Sequence, residues 1–293
     1  MLQWIAESSL AIATLIAKGS MTMNKIVKTL TIAGSDSSGG AGIQADLKTF
    51  EEYGTYGFSA LTTIVTMDPD RDWHHSVYPI EASLVAEQLK TVFAGGPVDA
   101  MKTGMLGSVA ITEVVKSCIE QNKQKNVVID PVMVCKGEDE VLNPESADAI
   151  RDLLLPLATV VTPNLFEAGV LSGKGRLVNL NDMREAAKLI HNRGAANVVI
   201  KGGKALEGDK AIDLFYDGTE YVIFETEKIE PAHNHGAGCT FAAGVTGGLA
   251  QGLPVKEAVA KAKDFVTAAI RAGYAFNEYV GPVFHGGYRL NQK

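Results

Sequence analysis

Short runs of apolar residues alternate with longer amphipathic stretches along most of this 293-residue chain. The short runs have the length and composition of buried strands, whereas the longer stretches carry apolar residues at helical spacing. This alternation predicts a mainly parallel sheet with helices on both faces. The predicted strands are 29–33, 60–65, 100–103, 127–130, 159–162 and 198–201, and the predicted helices are 40–52, 83–93, 108–121, 144–154 and 181–193.

The pattern changes in the last third of the chain. Two short apolar runs are separated only by Asp217, Gly218 and Thr219, a turn sequence that predicts an antiparallel hairpin. Two longer helical stretches then close the chain. The runs are 211–216 and 221–225, and the helical stretches are 236–251 and 255–276. Since no repeat, linker or low-complexity tract divides the segments, we expect a single domain over residues 23–293.

The N-terminal residues stand apart from this pattern. Residues 1–20 are mildly apolar, include the run LAIATLIA, and precede Met21 and Met23, either of which could be the natural start. The run is too short to span a bilayer, and no basic segment precedes it as in a signal peptide. We therefore predict that residues 1–22 are a non-native or disordered extension that carries no function.

Composition and charge argue against several classes of protein. Hydrophobic residues make up 46% of the chain, which is enough for a large core. The formal net charge is −7 and no cluster of Lys and Arg is present, so we expect neither a nucleic-acid nor a membrane partner. Cys118, Cys135 and Cys239 lack metal-binding spacing and cannot all pair, which predicts free thiols and a cytoplasmic location.

The first candidate site is the segment Gly236, Ala237, Gly238, Cys239, here named the anion loop, at the start of a predicted helix. Backbone N–H groups at a helix N-terminus have no partner within the helix, and small residues let a phosphate approach them. The anion loop could therefore bind an anion, with Cys239 as a nearby proton acceptor. By itself, such a pattern is more often an ordinary turn followed by a buried cysteine.

Two further candidate segments follow predicted strands. Residues 34–42, here named the glycine-rich loop, have neither the ending of a Walker A loop nor the spacing of a dinucleotide-binding fold. Asn164 and Glu167 follow the strand at 159–162, at the edge where open α/β sheets bind ligands. Glu167 could orient Mg²⁺ through water and Asn164 could bind phosphate, but Asn and Glu at this spacing also form a helix cap.

The chain contains five distinctive segments in this order: AGSDSSGGAGIQADLKTF, MKTGML, VVIDPVMV, TPNLFEA and HGAGCTFAAG. In these segments it resembles the ribokinase superfamily, in its branch of hydroxymethylpyrimidine kinases and pyridoxine/pyridoxal kinases. The resemblance extends from about residue 25 to the C-terminus and implies a ribokinase-like three-layer α/β/α fold with a mainly parallel central sheet. It also implies ATP and Mg²⁺ as cofactors and a homodimer.

The resemblance implies a catalytic role for the anion loop. The N–H groups of Gly236, Ala237 and Gly238 would stabilise the transferring phosphoryl group, and Cys239 would remove the proton from the attacking hydroxyl. A thiol at a helix N-terminus is expected to have a lowered pKa, which gives usable thiolate near neutral pH. Cys135 resembles a lid cysteine that acts with the helix-terminal cysteine in pyridoxal kinases, although without the resemblance it is more often an incidental thiol.

The resemblance also implies binding sites for nucleotide, metal and substrate. From the residues alone, segment 201–204 is equally typical of a phosphate-binding turn and of a solvated turn. Lys263 is more typical of a solvated helix face than of a nucleotide site. The implied ATP-binding residues are Asn164, Lys201, Gly202, Gly203, Lys204, Ala205, Asp213, Gly238 and Lys263, with Glu167 at the metal. The implied substrate-binding residues are Gly34, Asp36, Asp46, Met67, Met105 and Val132.

Two positions favour a vitamin B6 substrate over a pyrimidine. The pyrimidine kinases usually carry Ala-Gln-Asn after the second strand, where the Gln amide can pair with an aminopyrimidine, whereas this chain has Thr66, Met67 and Asp68. A methionine cannot form that pair, and its loss costs roughly a few kcal/mol. Cys135, where those kinases usually have Ala, agrees with this. We therefore expect an ATP-dependent pyridoxal, pyridoxine and pyridoxamine kinase of vitamin B6 salvage; the alternatives are a hydroxymethylpyrimidine kinase of thiamine synthesis and a catalytically silent vitamin-binding regulator.

Overall fold

The computed structural model describes residues 25–133, 144–231 and 233–290. The strands are β1 (Lys28–Asp36), β2 (Tyr56–Asp68), β3 (His74–Pro79), β4 (Ala100–Thr103), β5 (Val127–Ile129), β6 (Val160–Val161), β7 (Val198–Gly203), β8 (Lys210–Tyr216) and β9 (Tyr221–Glu227). Within the described residues they form one nine-stranded sheet in the order β3-β2-β1-β4-β5-β6-β7-β8-β9. The extension predicted at residues 1–22 lies outside the described residues.

The central strands of the sheet are parallel, and the strands at both edges are antiparallel. β1 pairs with β2 and β4, and the parallel series continues through β5, β6 and β7. β3 is antiparallel to β2, and β8 and β9 form an antiparallel hairpin at the other edge. The mainly parallel sheet and the hairpin are thereby confirmed. The prediction missed β3 because its residues, HHSVYP, are half-buried or exposed and form no apolar run.

Helices cover both faces of the sheet. They are α1 (Gly42–Glu52), α2 (Ala82–Ala94), α3 (Val109–Gln121), α4 (Pro144–Ala149), α5 (Leu165–Ser172), α6 (Leu180–His191), α7 (Ala237–Ala250), α8 (Val255–Arg271) and α9 (Gly287–Leu290). The predicted helix 144–154 is divided, because α4 passes into a π-helical turn at Ile150–Leu154. The predicted helix 255–276 ends early at Arg271, because the N–H groups of Tyr274 and Phe276 bond to the carbonyls of Pro282 and Val280 instead.

The two faces of the sheet have separate apolar cores. Successive residues of a strand point to opposite faces, so alternate positions belong to different layers. One face packs against α7 and α8 through Ala100, Val128, Val160 and Val199. The other face includes Met101, Ile129 and Val161 and packs against α3 and α6. The result is a three-layer α/β/α arrangement, as predicted. No helix in the described part of the chain is long and apolar enough to cross a membrane.

Candidate active site

A cavity of about 310 Å³ lies at the carboxyl ends of the central strands. It is enclosed by the glycine-rich loop after β1, the end of β2, and the anion loop at the start of α7. Open α/β sheets bind ligands at this edge, as expected from the sequence. We call it the acceptor cavity. Its lining includes Gly34, Asp36, Met67, His75, Met105, Asp130, Val132, Glu167, His235, Gly236 and Cys239.

A second cavity of about 310 Å³ adjoins the first, and we call it the nucleotide cavity. Four residues line both cavities and form the boundary between them: Asn164, Lys201, Asn234 and Gly238. The nucleotide cavity extends from this boundary over β8, the end of β9 and α8. Its further lining includes Gly203, Lys204, Asp213, Lys228, Ala237 and Lys263. The anion loop therefore separates two spaces that meet at Gly238.

The anion loop is held tightly against the glycine-rich loop. Gly236 is the N-cap of α7 with φ of 80°, and a Cβ there would lie 1.8 Å from the carbonyl oxygen of Gly40. Only glycine combines this positive φ with such a close approach. The hydroxyl of Thr240 donates to the carbonyl of Gly236 at 2.8 Å. The N–H of Ala237 donates to the carbonyl of Asn234 at 3.1 Å, so this predicted phosphate donor is already engaged.

Asp36 ties the two loops together. Its carboxylate accepts hydrogen bonds from the N–H and the hydroxyl of Ser38 at 2.8 and 2.9 Å and from the N–H of Ala41 at 2.9 Å. His235 contacts the same carboxylate at 2.7 Å. Burial raises the pKa of Asp36, but the bonds from His235 and Ser38 outweigh it, so the net pKa is lowered. Asp36 lines the acceptor cavity as predicted. Its contacts also hold the glycine-rich loop against His235, which directly precedes the anion loop.

Cys239 lies in the first turn of α7 and is partly exposed to the acceptor cavity. Burial by the surrounding protein raises the pKa of its thiol to about 11, although Lys102 and the N–H of Gly42 act to lower it. The sequence predicted a lowered pKa from the helix N-terminus. The structure corrects that prediction, because the loss of solvent around the sulfur outweighs the favourable charges.

Two ion pairs lie beneath the anion loop. Lys102 donates to both carboxylate oxygens of Asp46 at 2.8 and 2.9 Å, and both side chains are fully buried. Asp130 accepts hydrogen bonds from Lys201 at 2.8 Å and from the hydroxyl of Thr162 at 3.0 Å. The second pair is less enclosed, since 16% of the Lys201 side chain is exposed. Asp46 does not line the acceptor cavity, so the structure does not bring it to the predicted substrate contact.

Asn164 and Glu167 form a capping box at the start of α5. The N–H of Asn164 donates to the Glu167 carboxylate at 2.8 Å, and the N–H of Glu167 donates to the Asn164 side chain at 2.9 Å. Both residues nevertheless line the acceptor cavity, so the helix-cap and ligand interpretations apply together. Burial raises the pKa of Glu167 to about 7, partly offset by Lys201.

Two carboxylates of the acceptor cavity, close to the boundary residues Asn164 and Lys201, fit a magnesium ion that is shared with a nucleotide. Among the described residues, no three or more His, Cys, Asp or Glu side chains form a metal-binding cluster. Mg²⁺ does not need such a cluster, because it is usually held by one or two carboxylates together with waters and substrate phosphates. Glu167 and Asp130 line the cavity beside Lys201 and supply that kind of oxygen ligand.

The predicted nucleotide residues are brought together with two exceptions. Asp213 accepts hydrogen bonds from Lys263 at 2.7 Å and from the N–H of Gly203 at 3.1 Å, and both of its partners line the nucleotide cavity with it. Asn164, Lys201, Lys204 and Gly238 also line this cavity. Gly202 and Ala205 do not line it, because they form the turn that carries Lys204, with the Ala205 N–H bonded to the Gly202 carbonyl at 3.1 Å.

Some predictions fall outside the site as described, and some site residues were missed. Cys135 lies outside the described residues. Among the residues lining the acceptor cavity, His75 was missed because β3 was missed. Lys102, which lies outside the cavity lining, was also missed. A lysine within a predicted central strand indicates a buried ion pair, because parallel strands are buried on both faces and a buried lysine needs a charged partner.

The sequence matches a family model described as phosphomethylpyrimidine kinase over residues 36–284. A relative from Bacillus subtilis (strain 168), named pyridoxine kinase, is 57% identical over 91% of this chain and 98% of its own length. A hydroxymethylpyrimidine/phosphomethylpyrimidine kinase from Haemophilus influenzae is 38% identical over 91% of this chain and 99% of its own length. The pyrimidine kinase is thus the more distant of the two.

Two solved structures of pyridoxal kinases are similar to this chain in sequence and in fold. An ADP complex of Bacillus subtilis pyridoxal kinase is 56% identical, with a TM-score of 0.88, over 91% of this chain and all of that one. Staphylococcus aureus pyridoxal kinase in complex with AMP-PCP and pyridoxal is 51% identical, with a TM-score of 0.86, over 91% of this chain and 96% of that one. The fold and the sequence therefore identify the same group of relatives.

Proposed function

Because the chain belongs to the phosphomethylpyrimidine kinase family, we propose that it is an ATP-dependent kinase that phosphorylates the 5′-hydroxymethyl group of pyridoxal, pyridoxine and pyridoxamine. The observation that carries the choice of substrate is Met67, which lines the acceptor cavity at the position where the sequence analysis expects the glutamine amide of a pyrimidine kinase. The higher identity to pyridoxine kinase than to pyrimidine kinase supports the same choice. Vitamin B6 salvage is the corresponding role.

The acceptor cavity is suited to a flat, weakly polar ring. Met67, Met105 and Val132 supply apolar contacts, and Gly34 lines the same cavity. We propose that these residues bind the pyridine ring with its hydroxymethyl group directed at Cys239. Asp36 contributes by holding the loop in place, because its carboxylate is already bound by Ser38, Ala41 and His235.

The nucleotide cavity is suited to ATP. Lys201 and Lys263 lie within its walls, and Gly238 is shared with the acceptor cavity, so the γ-phosphate of a nucleotide bound there would meet the acceptor hydroxyl at the anion loop. A Cβ on Gly238 would lie 3.3 Å from the Nζ atom of Lys201, which places a positive charge beside the loop. We propose Glu167, with Asp130, as the residues that hold Mg²⁺, which would neutralise charge on the nucleotide phosphates when bound.

The proposed reaction uses Cys239 as the base. The reacting form is the Cys239 thiolate, which is a small fraction near neutral pH because the pKa of the thiol is raised to about 11. The hydroxyl proton of the vitamin passes to this thiolate, the hydroxyl oxygen bonds to the γ-phosphorus, and the bond from that phosphorus to the β-phosphate oxygen breaks to release ADP. The N–H groups of Gly236 and Gly238 in the anion loop and the Lys201 ammonium stabilise the charge that the phosphoryl group carries during transfer. Little else is required of the protein, because phosphoryl transfer depends mainly on alignment and charge.

The test compares substrates with one purified sample. ATP-dependent phosphorylation of pyridoxal, pyridoxine, pyridoxamine and hydroxymethylpyrimidine is measured as kcat/KM under the same conditions. We expect the vitamers to be preferred over the pyrimidine by at least about tenfold, corresponding to the net value of one or two hydrogen bonds. A preference for the pyrimidine would assign the chain to thiamine synthesis, and no turnover with any of the four would favour a silent vitamin-binding protein.

A further inference from the structure

Polar residues form a row beneath the anion loop, at the carboxyl ends of four neighbouring strands. Ala100, Val128, Val160 and Val199 on β4 to β7 face α7 and pack against it. Successive side chains of a strand point to opposite faces of the sheet. The residue two positions after each of these four therefore points to the same face. These residues are Lys102, Asp130, Thr162 and Lys201. The row therefore lies under the N-terminal turn of α7, which carries Cys239.

Lys102 is the most enclosed charge in this row. Its side chain has no exposed surface, and it donates only to Asp46 in the described structure, at 2.8 and 2.9 Å. Asp46 lies on α1 and is fixed in turn by the hydroxyl of Thr31 at 2.6 Å. Neither residue lines the acceptor cavity or the nucleotide cavity, so neither is placed to contact a ligand in these two spaces. Burying an ion pair of this kind gives little net stability, which leaves its presence unexplained by folding alone.

The surroundings of Cys239 connect this pair to the site. α1 begins at Gly42, which lines the acceptor cavity together with Cys239, and Asp46 lies one turn further along the same face of α1. Lys102 attracts the charged sulfur, and the sulfur in turn favours the charged lysine. The charged groups that act on the sulfur from the elements packed around it are Lys102 on β4, Asp46 on α1, Asp130 after β5 and Lys201 on β7.

We propose that Lys102 is a positioning residue for Cys239: its buried ammonium group stabilises the thiolate that accepts the substrate proton, and the carboxylate of Asp46 partly opposes that effect. This inference rests on the proposed function, in which Cys239 is the base. It explains why a lysine occupies a central strand with no contact to either cavity. It also gives Asp46 a role other than the substrate contact that the sequence predicted.

The test measures the thiolate directly and needs neither ATP nor a vitamin. Iodoacetamide alkylation of the peptide that contains Cys239 is followed by mass spectrometry across a range of pH, because the rate below the thiol pKa is proportional to the thiolate fraction. Lys102→Met should slow alkylation at fixed pH about tenfold, equivalent to one pKa unit, whereas Asp46→Asn should accelerate it about threefold. Lys102→Arg should keep the rate within about twofold, because it retains the positive charge.

The controls separate charge from structural damage. Cys118 in the same molecule is buried on α3 and serves as an internal reference whose alkylation rate should not change. If Lys102→Met does not fold, the double variant Asp46→Leu with Lys102→Met replaces the pair by apolar side chains, which proteins usually tolerate. Alkylation in that variant should be about threefold slower, since Lys102 acts on the sulfur more strongly than Asp46 does.

Opposite shifts in Lys102→Met and Asp46→Asn would support the proposal. Shifts in the same direction, or unchanged rates in both, would overturn it, because a purely structural pair would affect the sulfur in the same way whichever partner is removed. A double variant that reacts as fast as the wild type would also overturn it. These outcomes do not depend on turnover, so a failure of the proposed kinase activity would be seen separately.

Discussion

The two cavities that meet at Gly238 differ in how they use charge. Carboxylates in the acceptor cavity are bound by protein donors, as Asp36 is by Ser38 and His235, and the surface left for a ligand includes methionine and valine. The nucleotide cavity adds Lys204, Lys228 and Lys263 to Lys201, which lines both cavities. A protein with a net charge of −7 therefore concentrates positive charge on one side of the anion loop.

This difference indicates that the two cavities have separate tasks. An apolar cavity selects its ligand by shape and by the few polar groups it offers, so its residues should affect the choice of substrate. A lysine-rich cavity selects for phosphate charge, so its residues should affect nucleotide affinity. Cys239 lines the acceptor cavity next to Gly238, where the two cavities meet, and should affect the chemical step alone. Three substitutions test this division.

Replacing Cys239 should have the largest effect. Cys239→Ala removes the proposed base and should lower kcat by at least ~10²-fold. ATP affinity, measured by calorimetry, should stay within about twofold, because the thiol lines the acceptor cavity and not the nucleotide cavity. Cys118→Ala is the matched control, since Cys118 packs in the core far along α3. A Cys239→Ala enzyme with near-normal kcat would remove the base from the mechanism.

Replacing Lys263 should weaken nucleotide binding without changing the choice of acceptor. Lys263 is paired with Asp213 at 2.7 Å and lines the nucleotide cavity. Lys263→Met should raise the KM for ATP about tenfold through the lost charge. It should also lower the melting temperature, because the carboxylate of Asp213 is left buried without its partner. Activity ratios among the vitamers should not change.

Lys204→Met is the matched control for Lys263→Met. Lys204 lines the same cavity, but half of its side chain is exposed and its partner is the exposed Glu230. An exposed pair contributes about 0–1 kcal/mol, so the melting temperature should not change and the KM for ATP should rise less than about threefold. Equal effects of the two substitutions would show that burial of Lys263 has no special importance.

The sequence predicted a larger part of the fold than of the candidate site. The central strands are buried on both faces, so their apolar runs stand out in the sequence, as in Val127–Ile129 and Val160–Val161. His74–Pro79 could not be found in this way, because an edge strand with partly exposed side chains has no such run. Local composition therefore specifies the centre of the sheet well and its edge poorly.

The parts of the candidate site that depend on backbone conformation could be predicted from the sequence. The anion loop and the glycine-rich loop were identified because close backbone approach requires glycine, as at Gly236. The partners of side chains could not be read in the same way. Asp46 was assigned to the substrate although it faces Lys102, and the pKa of Cys239 was expected to fall although burial raises it. Both depend on contacts between residues far apart in sequence.

The smallest expected effect concerns the acceptor cavity alone. Met67→Gln restores the amide that the pyrimidine kinases usually carry, at a position that lines the cavity. One new hydrogen bond has a net value of about 1 kcal/mol, so the ratio of kcat/KM for hydroxymethylpyrimidine to that for pyridoxal should rise about fivefold. The KM for ATP should not change, because Met67 does not line the nucleotide cavity.

Met105→Gln is the matched control, since Met105 lines the same cavity and the substitution adds the same amide at a different place. It should weaken both acceptors to a similar degree, because an amide with no partner on either ring has to lose its water on binding. A rise in the pyrimidine ratio for Met67→Gln only would therefore assign substrate choice to the position of one side chain. An equal rise in both variants would mean that cavity polarity, and not a specific hydrogen bond, determines which vitamin is accepted.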